Sequence, residues 1–166
     1  MLHSFPPVIN NKTTVLIIGS MPGTASLQAR QYYAFAHNQF WRLMFDLLAD
    51  RPAPSDYEER LRFLLAHRIG LWDALAACTR LGSSDAHISS ARANDFPILF
   101  RKYPRVHTLL FNGQAAQRHF ARAFGNGGKQ CIVLPSTSPA HASLNYAQKK
   151  EQWQTALCVA LTGKMH

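Results

Sequence analysis

Four short apolar runs, set between stretches of helical periodicity, constrain this chain more than any other feature. They occupy 14–18, 69–72, 106–111 and 131–134. Each is too short for a buried helix and rich in aliphatic residues, the signature of a strand covered on both faces. In 39–50, Phe40, Leu43, Met44 and Leu47 share one helical face. Over 57–67 the face is Leu61, Leu64 and Leu65, and Ser55 followed by Glu58 reads as a capping box. Asn94 is placed to cap a helix over 95–103, and 113–124 stops at Gly125, a favoured C-terminal residue. A last helix, 146–161, repeats Trp153, Leu157 and Leu161 before Gly163. Strands alternating with helices predict an α/β layered fold with a mainly parallel sheet. The 166 residues fit a single domain, 1–166.

In such folds ligands sit beyond the carboxyl ends of the strands, so the residues after each run are the candidates for chemistry. After the first comes Gly19-Ser20-Met21-Pro22-Gly23, a fixed loop that permits close backbone approach. It lacks the Gly-Lys-Ser/Thr ending of a phosphate loop, and Met21 stands where a serine-hydrolase elbow needs its serine. After the second comes Asp73, which can read a base edge or simply cap a turn. Asn112-Gly113 follows the third. After the fourth, Ser136, Thr137 and Ser138 lie between prolines and lead to His141, a stiff hydroxyl-rich loop suited to phosphate oxygens. Each loop by itself also reads as an ordinary turn. The segment 31–41 is dense in aromatics. Tyr33 is a candidate to stack on a base, whereas Phe40 and Trp41 are expected to pack inside.

Charge narrows the partner. Eighteen Lys and Arg face nine Asp and Glu, a net +9, and no acid occurs before Asp46 or between Asp95 and Glu151. Such a field suits a polyanion, nucleic acid first. Three widely spaced cysteines, Cys78, Cys131 and Cys158, argue against a disulfide framework, a zinc site or an iron–sulfur cluster and read as small core residues. No apolar window is long enough to cross a membrane, and the N-terminus lacks the pattern of a signal peptide. The expectation is a cytoplasmic protein.

Taken in order, Gly-Ser-Met-Pro-Gly (19–23), Gln-Tyr-Tyr-Ala (31–34), Asn-Gln-Phe-Trp (38–41), Gly-Leu-Trp-Asp (70–73) and Leu-Pro-Ser-Thr-Ser-Pro-Ala (134–140) resemble the hypoxanthine-DNA glycosylase family, a branch of the uracil-DNA glycosylase superfamily. The resemblance spans about 120 residues. It implies a three-layer α/β/α fold with a four-stranded parallel sheet. It implies that 19–23 shapes a base pocket, together with Tyr33, Asp73 and Asn112, while Ser136, Thr137, Ser138 and His141 grip the DNA backbone. Asn38 matches the asparagine implicated in catalysis in that branch. Where many relatives carry Asp or Asn in the first motif, this chain offers Ser20 and Met21, and Leu134 stands where many begin the second motif with His or Asn. Phe35-Ala36-His37 replaces the branch's usual His-Pro-Arg.

The implied function is a monofunctional glycosylase that flips a deaminated base, hypoxanthine foremost, out of double-stranded DNA and hydrolyses it away without metal or cofactor, acting as a monomer. With no carboxylate in residues 1–45, catalysis would rest on fixed donors to the leaving base. His37 and His141 are candidate proton donors. The alternatives are a mismatch-specific uracil or thymine glycosylase, and a DNA-binding protein of this fold without chemistry. The wedge that fills the emptied stack is expected in 139–144.

Overall fold

The computed structural model describes residues 1–163. All four apolar runs are strands: β2 (Val15–Gly19), β3 (Ile69–Asp73), β6 (Thr108–Asn112) and β7 (Gln130–Leu134). They form one parallel four-stranded sheet in the order β3-β2-β6-β7. Ile17 at the centre of β2 sits opposite Leu71 on one side and Leu110 on the other.

Period-two alternation sends successive side chains to opposite layers. Val15 and Ile17 pack with Phe40, Met44, Phe45, Leu64 and Trp153, which come from helices α2 (Phe40–Ala49), α3 (Tyr57–Ala66) and α6 (Tyr146–Thr162). Leu16, Ile18, Leu109 and Phe111 meet Phe96, Leu99 and Phe120 on the other side, from α4 (Phe96–Lys102) and α5 (Gln114–Phe124). Each fully buried Leu, Ile or Phe contributes roughly 1.5–3 kcal/mol of burial free energy. The two clusters fix the sheet between its helical layers, giving the three-layer architecture expected of the chain. Phe40 and Trp41 are both buried in the first cluster.

Three local readings need correction. The cap of α3 is Asp56, whose side chain accepts from Glu59 N–H, so Ser55 and Glu58 are not a capping box. The cap of α4 is Asp95, accepting from Ile98 N–H; Asn94 instead donates its amide to the Asp73 and Leu75 carbonyls. Only Cys78 is a buried small residue; Cys131 is exposed and Cys158 half-buried.

The sequence also conceals a second sheet. β1 (Leu2–His3), β4 (Leu75–Thr79) and β5 (Ser89–Ala93) form an antiparallel three-stranded sheet, with a 3₁₀ turn at Asp85–His87 between β4 and β5. β4 follows β3 after the single residue Ala74, so this excursion springs from the carboxyl edge of the parallel sheet. No helix among the described residues is long and apolar enough to cross a membrane.

Candidate active site

A cavity of about 930 Å³ opens at that carboxyl edge. Its wall includes Gly19, Ser20, Met21, Pro22 and Gly23 after β2, Asp73 at the end of β3, Asn112 at the end of β6, and Ser136, Thr137, Ser138 and His141 beyond β7. Tyr33 and Asn38, between the short helix α1 (Thr24–Ala29) and α2, complete it. The residues assigned from the sequence to catalysis, the base pocket and DNA contact therefore border one space, whereas His37, the other candidate proton donor, is not on its wall.

The first loop is shaped by its neighbours. A Cβ on Gly19 would lie 2.6 Å from Asp73 Oδ1 and 3.2 Å from the Tyr33 hydroxyl, so only glycine leaves room here. The Gly19 and Ser20 carbonyls accept from Ala74 and Leu75 N–H, at 2.7 and 3.2 Å. The buried Arg80 guanidinium donates to the Pro22 and Gly82 carbonyls. Ser20 Oγ donates to Asp85 Oδ1 at 2.6 Å. The β4–β5 excursion is thus fastened to the first loop by its own polar groups, and it contributes Ser83–Ala86 to the cavity wall.

Thr137 organises the opposite wall. Its N–H donates to Asn112 Oδ1 (2.9 Å), its hydroxyl accepts from Asn112 Nδ2 (3.0 Å), and that hydroxyl donates to Asn38 Oδ1 (2.9 Å). Its carbonyl accepts from Gln39 N–H at 3.0 Å. Thr137 is 1% exposed, so its hydroxyl is committed inward rather than toward a phosphate. Asn38 Oδ1 also accepts from Phe40 N–H at 2.9 Å. With the oxygen doubly engaged, the amide's remaining hydrogen-bonding group is its Nδ2 donor. Lys149 braces the same loop from behind. The residue is 2% exposed, and its ammonium donates to the Ser138 carbonyl and Gln39 Oε1. Trp153 Nε1 donates to the Pro135 carbonyl at 2.9 Å. On the loop's outer side, Ser136 and Ser138 hydroxyls accept from Ser138 and Ala140 N–H.

Tyr33 lies in the left-handed backbone region (φ 57°), uncommon for a residue with a Cβ. Its ring stacks on Phe40 with centroids 4.0 Å apart. Burial and nearby Asp73 raise the Tyr33 hydroxyl far above its ordinary range, so it stays neutral. Asp73 is 4% exposed, and its Oδ2 has no hydrogen-bond partner among the described residues. Burial first, then the charge of Asp85, lifts its carboxyl from 3.8 to about 7, against a smaller downward pull from Arg80.

Asp85, Arg80 and Lys149 are the residues that sequence reasoning missed. Asp85 answers the missing first-motif acid: a carboxylate does reach Ser20, from 65 positions away. No group of three or more His, Cys, Asp or Glu among the described residues is arranged to hold a metal ion.

A parallel sheet whose strand ends enclose a slot with an aromatic face, fixed amide donors and a buried carboxyl defines a nucleobase-binding α/β enzyme. The family model described as the uracil DNA glycosylase superfamily matches residues 6–161. The chain is 36% identical over 156 residues to the hypoxanthine DNA glycosylase of Methanosarcina barkeri, covering 93% of this chain and 96% of that one. It is 35% identical over 152 residues to the hypoxanthine DNA glycosylase of Methanosarcina acetivorans, covering 92% and 95%. A solution NMR structure from Methanosarcina acetivorans, provisionally assigned as a uracil DNA glycosylase, superposes with a TM-score of 0.81 at 32% identity over 93% of this chain and 95% of that one. The chain belongs to the uracil DNA glycosylase superfamily.

Proposed function

We propose that this glycosylase everts a deaminated base, hypoxanthine foremost, from double-stranded DNA into the cavity and hydrolyses its bond to the sugar. The observation that carries this reading is the convergence of loops 19–23 and 136–141 with Asn38 and Asp73 on one space. Both Methanosarcina relatives are hypoxanthine DNA glycosylases, which supports the choice of base. Flipping costs a few kcal/mol, least for a mispaired base, and the net +9 charge attracts the phosphates that hold the duplex while it happens.

In this reading Gly19, Ser20, Met21, Pro22 and Gly23 form one wall of the base slot. Tyr33 supplies an aromatic face and Asp73 a polar edge. Asn112 fixes the far side through Thr137. Asn38 donates from Nδ2 to the attacking water or to the base, because its oxygen is already occupied. Ser136, Ser138 and His141 meet the DNA backbone, and Thr137 acts as the strut that holds them. Among the described residues no lysine borders the cavity, so the reaction ends at the abasic sugar without a Schiff base. The protein works as a single domain, as a cytoplasmic monomer, without metal or cofactor.

Single-turnover incubation with duplexes carrying one hypoxanthine, uracil or xanthine tests this. Hypoxanthine should be released fastest. Faster uracil release would transfer the enzyme to the mismatch-uracil class. Release of no base, with DNA binding intact, would leave a binding protein of this fold.

A further inference from the structure

The cavity holds two carboxyl groups in opposite surroundings. Asp73, at the end of β3, is buried and its Oδ2 has no hydrogen-bond partner among the described residues. Asp85, on the excursion, is exposed and accepts from Ser20 Oγ at 2.6 Å. They are the only acids on the cavity wall among the described residues. Such a division is how enzymes keep one carboxyl protonated beside another that is ionised.

We propose that Asp73 is the acid of the reaction: its neutral carboxyl gives a proton to the departing purine, and the charge of Asp85 helps hold that proton in place. The proposal rests on the base-excision reading and deepens it. As the bond between the sugar carbon and the base nitrogen breaks, its electron pair passes to the base. The carboxyl proton goes to a basic ring nitrogen of that base, which leaves neutral. Water adds to the sugar cation, and the proton it sheds restores Asp73. Nothing else is consumed.

The surroundings support a proton on Asp73. Arg80, the cation nearest in effect, gives Nη2 to the Pro22 carbonyl and Nε to the Gly82 carbonyl, its buried Nη1 has no hydrogen-bond partner among the described residues, and its downward pull on Asp73 is smaller than the effects of burial and of Asp85. The other titratable groups that interact with Asp73 are the hydroxyls of Tyr32, Tyr33 and Tyr57, each raised by burial and therefore neutral, and the carboxylate of Asp85. An isolated ionised carboxylate is costly in such a place, and the group holds its proton instead. The resulting value of about 7 suits a general acid at neutral pH.

The test is the pH dependence of single-turnover hypoxanthine excision between about pH 5 and 9. The wild-type rate should fall as pH rises through neutrality. Asp73→Asn should be slower on the order of 100-fold, the usual scale of general acid catalysis, and flat over that range, with duplex binding by fluorescence anisotropy retained. Asp85→Asn removes the charge that raises Asp73, so its falling limb should move to lower pH, whatever its absolute rate. A variant that has merely lost structural support would keep the wild-type limb. If wild type excises but Asp73→Asn retains that limb, or Asp85→Asn leaves it unmoved, the acid assignment fails while base excision stands. If wild type releases no base at any pH, both are overturned.

Discussion

Replacing Asp73 with asparagine should stabilise the protein, and the gain should grow with pH. In the fold this carboxyl is lifted from 3.8 to about 7 by burial and by Asp85. Between those values the folded protein keeps a proton that the unfolded chain has released. Stability must therefore decline as pH rises from about 4 to about 7, and stay level above it. Each unit of displacement is worth about 1.36 kcal/mol, so the whole penalty is about 4 kcal/mol in neutral and alkaline solution. Asparagine occupies nearly the same volume and carries no such linkage. Urea unfolding of both proteins at several pH values isolates the residue, because every other titration cancels in the difference. From pH 5 to pH 8 the asparagine variant should gain about 3 kcal/mol on wild type. With a slope of about 2 kcal/mol per molar, the gap between midpoints should open by more than about 1 M. Parallel curves would refute the argument, and would mean that water or a relaxed side chain keeps Asp73 ionised.

Three further outcomes follow from the contacts around the cavity. Asn38→Ala should lose most excision, roughly 100-fold or more, while binding duplex DNA as tightly as wild type in an anisotropy titration. Gly19→Ala places a methyl group 2.6 Å from Asp73 Oδ1, so excision should be lost from a protein whose circular dichroism is unchanged. Thr137→Val keeps the shape but strands Asn112 Nδ2 and removes the donor to Asn38 Oδ1. It should cost about 1–3 kcal/mol in denaturant unfolding and slow excision further than the stability loss explains.

The parallel sheet was legible because its strands are buried on both faces, and continuous apolar runs such as 14–18 and 106–111 announce that state directly. The candidate site was legible for a related reason: in this architecture ligands sit just past the strand ends, where Gly19, Asp73 and Asn112 stand. The small antiparallel sheet left no comparable trace. β5 is exposed along its whole length and has no apolar face, and β4 begins one residue after β3, so the two read as one unbroken run. Asp85 was hidden with it. A serine–aspartate contact spanning 65 residues has no local pattern, and the acid's meaning appears only once the excursion folds back on the first loop. Lys149 carries no local signal either, because its burial depends on where the Ser138 carbonyl ends up. The misassigned caps at Asn94 and Ser55 failed by one residue each, since adjacent polar side chains compete for the same helix N-terminus.

One hydroxyl, that of Thr137, joins Asn112, 25 positions earlier, to Asn38, 99 positions earlier. Those are long loops to close, and their entropy is recovered only when β6, β7 and the start of α2 are all in place. The Asn38 amide, to which we assign the chemistry, therefore takes its place only when those elements have met. A nascent or nicked chain that has formed its central strands but not this junction would carry the basic surface without a working slot. Loitering on a genome in that condition, it would bind phosphates and cut nothing.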